Sequence, residues 1–77
     1  MPLFHFDVQY GQEPWSDDES GTELDNEDKA RNQAFDLISM LVRDKLRNHT
    51  EIAVRVRDGW PAPIQTLRLS LQAEGRD

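Results

Sequence analysis

Two kinds of hydrophobic spacing share this chain, and their order limits the folds open to it. Leu3 to Tyr10 alternates, with Phe4, Phe6, Val8 and Tyr10 to one side and His5, Asp7 and Gln9 to the other. Period two with aromatic and β-branched residues is the pattern of a half-buried strand. Glu51 to Arg57 repeats it, with Ile52, Val54 and Val56 inward and Arg55 and Arg57 outward; so do Leu67, Leu69 and Leu71 against Thr66, Arg68 and Ser70. Between the first run and the other two lies one helical pattern, from about Asn26 to Asn48. There Ala30, Ala34, Leu37, Ile38 and Leu41 fall on one stripe at about 100° per residue.

A chain of 77 residues is one domain. The reading is therefore α+β, order β-(β)-α-β-β: a three- to four-stranded, mainly antiparallel sheet with one helix packed on one face. The domain takes in residues 1–77, with 73–77 as a frayed tail. The first strand is expected inside the sheet, beside a C-terminal hairpin. A second strand, Glu13 to Ser16, is optional, because Pro14 confines it to an edge or a loop. The hairpin turns at Asp58-Gly59-Trp60-Pro61-Ala62-Pro63. Its expected register sets Val54 against Leu69, Ile52 against Leu71 and Val56 against Leu67, all six on one face. The expected core is Phe4, Phe6, Val8, Ala34, Leu37, Ile38, Leu41, Val54, Val56, Leu67 and Leu69. Asp25 is the expected N-cap, with Glu27 and Asp28 in the first turn, where negative charge suits the helix dipole.

Charge is unevenly placed. The net charge is −6, yet residues 1–28 hold nine acids and no Lys or Arg, and residues 29–77 carry a net +3. Such a chain repels a phosphate backbone at long range, so nucleic-acid binding is not expected. There is no cysteine, which removes disulfides, thiolate metal sites and cysteine nucleophiles and fits a reducing compartment. No apolar run approaches the roughly 20 residues of a membrane span, and Met1 to Tyr10 lacks the pattern of a signal peptide. A cytoplasmic location is expected.

Constellations with chemistry are sparse. Setting Gly21 at the sixth place of a calcium loop gives Ser16, Asp18, Ser20 and Glu27 as ligands. The first is then a serine, and Pro14 and Trp15 stand where the preceding helix belongs. The acidic segment therefore reads as a turn and helix cap, with Gly21 at positive φ. His5 and Asp7 share a strand face, where an exposed pair without a nucleophile is expected. His49 lies at the helix end, as a cap of its carbonyls. No catalytic, cofactor-binding or metal-binding residues are assigned, and no enzyme is expected.

Two groups of residues point instead to contacts. Arg55, Arg57 and Arg68 project from the outer hairpin face as candidate anion contacts. In the expected register Arg55 opposes Arg68, so Asp7, Glu51 or an outside anion must offset them. Phe35, Val42 and Leu46 flank the helix stripe and, with Trp60 in the turn, form a candidate partner-binding surface. That surface suits a protein partner or a second copy of the chain.

The order of the pieces is also familiar. Met1-Pro2-Leu3-Phe4-His5-Phe6-Asp7-Val8 resembles the M-P-x-[FY]-x-F-x-V start of a family of small uncharacterised proteins, mostly alphaproteobacterial. Asp18-Glu19-Ser20-Gly21-Thr22-Glu23-Leu24-Asp25 resembles its D-x-x-G-x-E-L-x-D signature, and Ala53-Val54-Arg55-Val56-Arg57-Asp58 its V-x-V-R-D strand. The bulky, proline-rich turn at Asp58 to Pro63 departs from that pattern. The resemblance implies the fold and a bacterial origin, and no activity. The functional expectation is a non-enzymatic interaction or regulatory module. The alternative is an antitoxin-like subunit that binds a small basic toxin with its acidic N-terminal third.

Overall fold

The computed structural model describes residues 2–45, 51–59 and 62–70. Strands β1 (Leu3–Tyr10) and β2 (Thr22–Glu23) precede helix α1 (Glu27–Lys45), and β3 (Glu51–Arg57) and β4 (Gln65–Ser70) follow it. They form one antiparallel sheet in the order β2-β1-β3-β4, so the first strand does lie inside. The fold is α+β, with α1 packed on one face and chiefly against β3.

The inward alternation of β1 and β3 builds the core. Phe4, Phe6, Ile52, Val54 and Val56 are buried with Ala30, Ala34 and Ile38 of the helix stripe. The small side chains at Ala30 and Ala34 let the helix backbone approach the sheet. Val8, Tyr10, Leu24, Leu37, Leu41, Val42, Ile64 and Leu67 pack around this cluster, partly buried. Leu37 and Leu41, expected in the core, therefore sit at its margin, while Ala30 and Ile52 belong to its centre.

The structure corrects four expectations. The hairpin register is shifted by two residues: Val54 pairs with Leu67, Ile52 with Leu69 and Val56 with Gln65. A two-residue shift keeps every side chain on its face, so the hydrophobic alternation cannot detect it. The turn decides instead, closing early with the Ile64 N–H on the Val56 carbonyl at 2.8 Å. Arg55 accordingly stands opposite Thr66 and not Arg68. Leu69, expected in the core, is 40% exposed, because it lies on the outermost strand, where helix coverage is thin. The N-cap is Asn26, one residue beyond Asp25; its Oδ1 accepts the Lys29 N–H at 2.9 Å. Finally, of the optional strand at Glu13 to Ser16 only Ser16 forms a bridge, to Val8 of β1, while Glu13 closes a turn with its N–H on the Tyr10 carbonyl at 3.0 Å; the true second strand is Thr22–Glu23. Leu46 to Asn48, expected to continue the helix, the expected tail at 73–77 and the expected partner Leu71 lie outside the described residues.

Candidate functional site: an aspartate–arginine network on the open face

The face of the sheet turned away from α1 carries the polar half of each alternation. At its centre is Asp7, the buried charged residue among those described. Antiparallel pairing sets Asp7 opposite Arg55, and His5, two residues back, opposite Arg57. Both arginines converge on the same carboxylate. The Arg55 Nε donates to Oδ2 at 2.8 Å. Arg57 binds side-on, Nε donating to Oδ2 and Nη2 to Oδ1 at 3.0 Å. The Asp18 N–H donates to Oδ1 at 2.9 Å.

This arrangement sets the charge state of Asp7. Burial alone would push its carboxyl up, but the hydrogen bonds of Arg57, the Asp18 N–H and Arg55 outweigh it and bring the pKa down to about 2. Reciprocally, the hydrogen bond to Asp7 raises the Arg57 pKa against the opposing effect of burial. Asp7 is thus an ion near neutral pH. The expected exposed His5–Asp7 pair is corrected. His5 turns to the connection instead, and its Nδ1 is 2.7 Å from the Asp18 carbonyl, to which it must donate.

The connection between β1 and β2 acts as a strap held by this network. Trp15 lies under the Arg55 guanidinium, 4.2 Å from ring centroid to Cζ. Asp17 accepts from Arg55 Nη2 at 3.2 Å. Asp18 is the hub. Its Oδ2 accepts the Phe6 N–H and its Oδ1 the Gly21 N–H, both at 3.1 Å. Burial pushes the Asp18 carboxyl up, yet the N–H groups of Phe6 and Gly21 and the nearby His5 bring it below its ordinary value. Asp18 thereby accepts the Phe6 N–H as the carbonyl of a neighbouring strand would. Along the same edge of β1, Thr22 pairs with Phe4 and Ser16 bonds Val8 in both directions, at 2.7 and 3.0 Å. Gly21 has φ +75, as expected, and a Cβ there would meet the Leu3 Cγ at 2.9 Å.

The candidate residues fall into two groups. Arg55 and Arg57 come together, both turned to Asp7, whereas Arg68 stands apart on Glu51 at 2.9 Å. The offset for the arginine face thus lies within the chain, in Asp7, Asp17 and Glu51. On the helix, Phe35 is 53% exposed, and Val42 is half-buried against the core. Leu46, His49 and Trp60 lie outside the described residues. Of the calcium-type ligand set, Asp18 has its carboxylate on backbone N–H groups and Glu27 lies 3.5 Å from Arg31. The signal that reveals Asp7 in the sequence is an acid at the middle of an apolar strand, matched by Arg-x-Arg in another strand.

The motifs now have structural work. Phe4, Phe6 and Val8 supply the core face of β1. Asp18 and Gly21 build the turn, and Leu24 donates its N–H to the Pro2 carbonyl at 3.1 Å and packs on the core. Residues 3–70 match one family of sequences, a domain of unknown function designated DUF6894. The chain belongs to this family. Neither a curated protein nor a solved structure matches it. Among the described residues no helix is long and apolar enough to cross a membrane.

Proposed function

We propose that this DUF6894 chain is a non-enzymatic interaction module of a bacterial, alphaproteobacterial cytoplasm. The observation that carries this reading is the commitment of the polar centre to structure. Asp7 is saturated by Arg55, Arg57 and the Asp18 N–H, with a carboxyl pKa of about 2. A carboxylate so held has no proton to exchange near neutral pH, the property that general acid–base chemistry needs. Asp18, the second carboxylate of the network, is spent on backbone N–H groups.

The surface open to a partner is apolar and lies on the other side of the sheet. Phe35 and Met40 stand out on α1, with the half-buried Val42 two turns after Phe35 on the same flank, and Leu69 is exposed on β4. Large exposed apolar side chains grouped on a small domain mark contact sites. The test is affinity capture from the native cell with the whole chain and with Phe35→Asp. Wild type should retain a protein partner, this chain's own copies included, that the variant loses; equal capture by both would sink the reading. In the antitoxin-like alternative a small basic protein is held by the acidic N-terminal third. Its capture would fail at high salt and survive Phe35→Asp.

A further inference from the structure

The two edges of the sheet are treated very differently. On the β1 side, β2 pairs at Phe4, the Asp18 carboxylate accepts the Phe6 N–H, and Ser16 bonds Val8 in both directions. On the other side β4 is outermost, and among the described residues nothing pairs with its outer edge. Natural monomers blunt such an edge with proline, bulges or charges turned inward. Residues Gln65–Ser70 contain none of these, and the one charge, Arg68, is tied to Glu51 on the open face.

The backbone groups at that edge can be identified. The Gly11 N–H bonds the Glu51 carbonyl, so in the β1–β3 ladder Glu51, Ala53, Arg55 and Arg57 turn their backbone groups to β1. Ile52, Val54 and Val56 then bond to β4, at Leu69, Leu67 and Gln65. Thr66, Arg68 and Ser70 are left with N–H and C=O groups directed outward. Above this edge lies an apolar flank. Strands β2 and β3 are parallel, with β1 between them, and α1 reaches over to β4; in the right-handed crossover that such connections take, the Phe35–Val42 flank falls on the β4 side.

We infer that a second copy of this chain pairs antiparallel across the free edge of β4, joining two four-stranded sheets into one; this rests on the interaction-module reading above. The strand can pair with its own copy over most of its length with a two-fold axis at Leu67 or at Arg68. With the two-fold axis at Leu67, Leu67 meets the partner's Leu67, and Thr66 exchanges both backbone bonds with the partner's Arg68. Leu69 comes to lie beside the partner's Gln65. A two-fold axis at Arg68 would oppose two like charges, so it is disfavoured. The favoured register brings the Phe35 and Leu69 surfaces of both copies to one side of the joined sheet, where each covers the other.

The experiment is sedimentation of the full chain from micromolar to hundreds of micromolar, with amide exchange read at the same concentrations. Wild type should reach twice the chain mass. The Thr66 and Arg68 amides should be slow in the dimer and fast on dilution, while those of Leu67 and Leu69, bonded to β3, stay slow throughout. Thr66→Pro removes an outward donor at a position where an edge strand tolerates proline; it should remain monomeric with an unchanged far-ultraviolet spectrum. The exchange measurement needs no variant and decides the matter even if Thr66→Pro fails to fold. A wild type monomeric at every concentration overturns the inference. So does a dimer in which the Thr66 and Arg68 amides stay fast. A monomer that still captures another protein through Phe35 would overturn self-pairing and leave the interaction-module reading standing.

Discussion

Asp7 shows how far a single residue can be read from its neighbours in sequence. Its strand face was legible from the alternation of β1, and so was the need for an acid to offset Arg55 and Arg57. Its complete burial was not, because burial depends on Trp15, Asp17 and Asp18 folding back over the open face. Nothing local in an acidic, turn-rich segment announces that return. The side-on contact of Arg57 carries a residue-scale prediction. Lysine keeps the charge but cannot present two donors in one plane. Arg57→Lys should therefore lose about 1.5–3 kcal/mol in denaturant unfolding, the range for hydrogen bonds to charged groups, and more than Arg68→Lys, whose partner Glu51 is solvated. Gly21 gives a second. Its φ of +75 and its approach to Leu3 and His5 leave no room for a Cβ, so Gly21→Ala should cost about 1–3 kcal/mol. Gly11 and Gly59 also have positive φ but open space around the position of a Cβ, and alanine there should cost less than at Gly21.

At the scale of elements, hydrophobic period did most of the predictive work. It placed β1, α1, β3 and β4 and turned each to the correct face, because burial of one face is what the period encodes. It could not fix the hairpin register, which a two-residue shift leaves equally well buried, nor find β2, whose Thr22 and Glu23 are both exposed. The helix stripe was right in phase but centred too far along the chain: Ala30, Ala34 and Ile38 are buried, and Leu37 and Leu41 are marginal. The difference is measurable. Ile38→Ala should cost about 2–5 kcal/mol, as for a buried large-to-small change, and Leu41→Ala distinctly less. Equal losses would mean that α1 is rotated from the position described. At the start of the helix, Asn26→Ala should cost about 1 kcal/mol and Asp25→Ala little, since Asn26 holds the Lys29 N–H.

For the molecule as a whole, the sequence shows an excess of acid, and the structure shows that Asp7 and Asp18 are held as ions by fixed hydrogen-bond donors. Held and exposed acids part company as pH falls. Protonating exposed acids relieves the net charge of −6 and favours the folded chain. Protonating Asp7 does the reverse. Burial raises its pKa, but Arg57, the Asp18 N–H and Arg55 together lower it from 3.8 to about 2. A folded-state pKa below the unfolded value means that the native state binds fewer protons, so the stabilisation is complete above about pH 5. It drains away as pH passes through 3.8 toward 2. The gap between those values corresponds to about 2 kcal/mol. Total stability mixes this loss with relief of repulsion at moderate pH and growing positive charge at low pH, so its curve alone is not diagnostic. The difference between wild type and Asp7→Asn removes both shared effects. Denaturant unfolding of the two proteins from pH 7 to pH 2 should give a difference that is constant down to about pH 5. It should then shrink by about 2 kcal/mol as the wild-type carboxylate becomes neutral like the amide. A difference that holds constant to pH 2 would show that Asp7 titrates at the same pH folded and unfolded, and that the two arginines and the Asp18 N–H do no more than offset its burial.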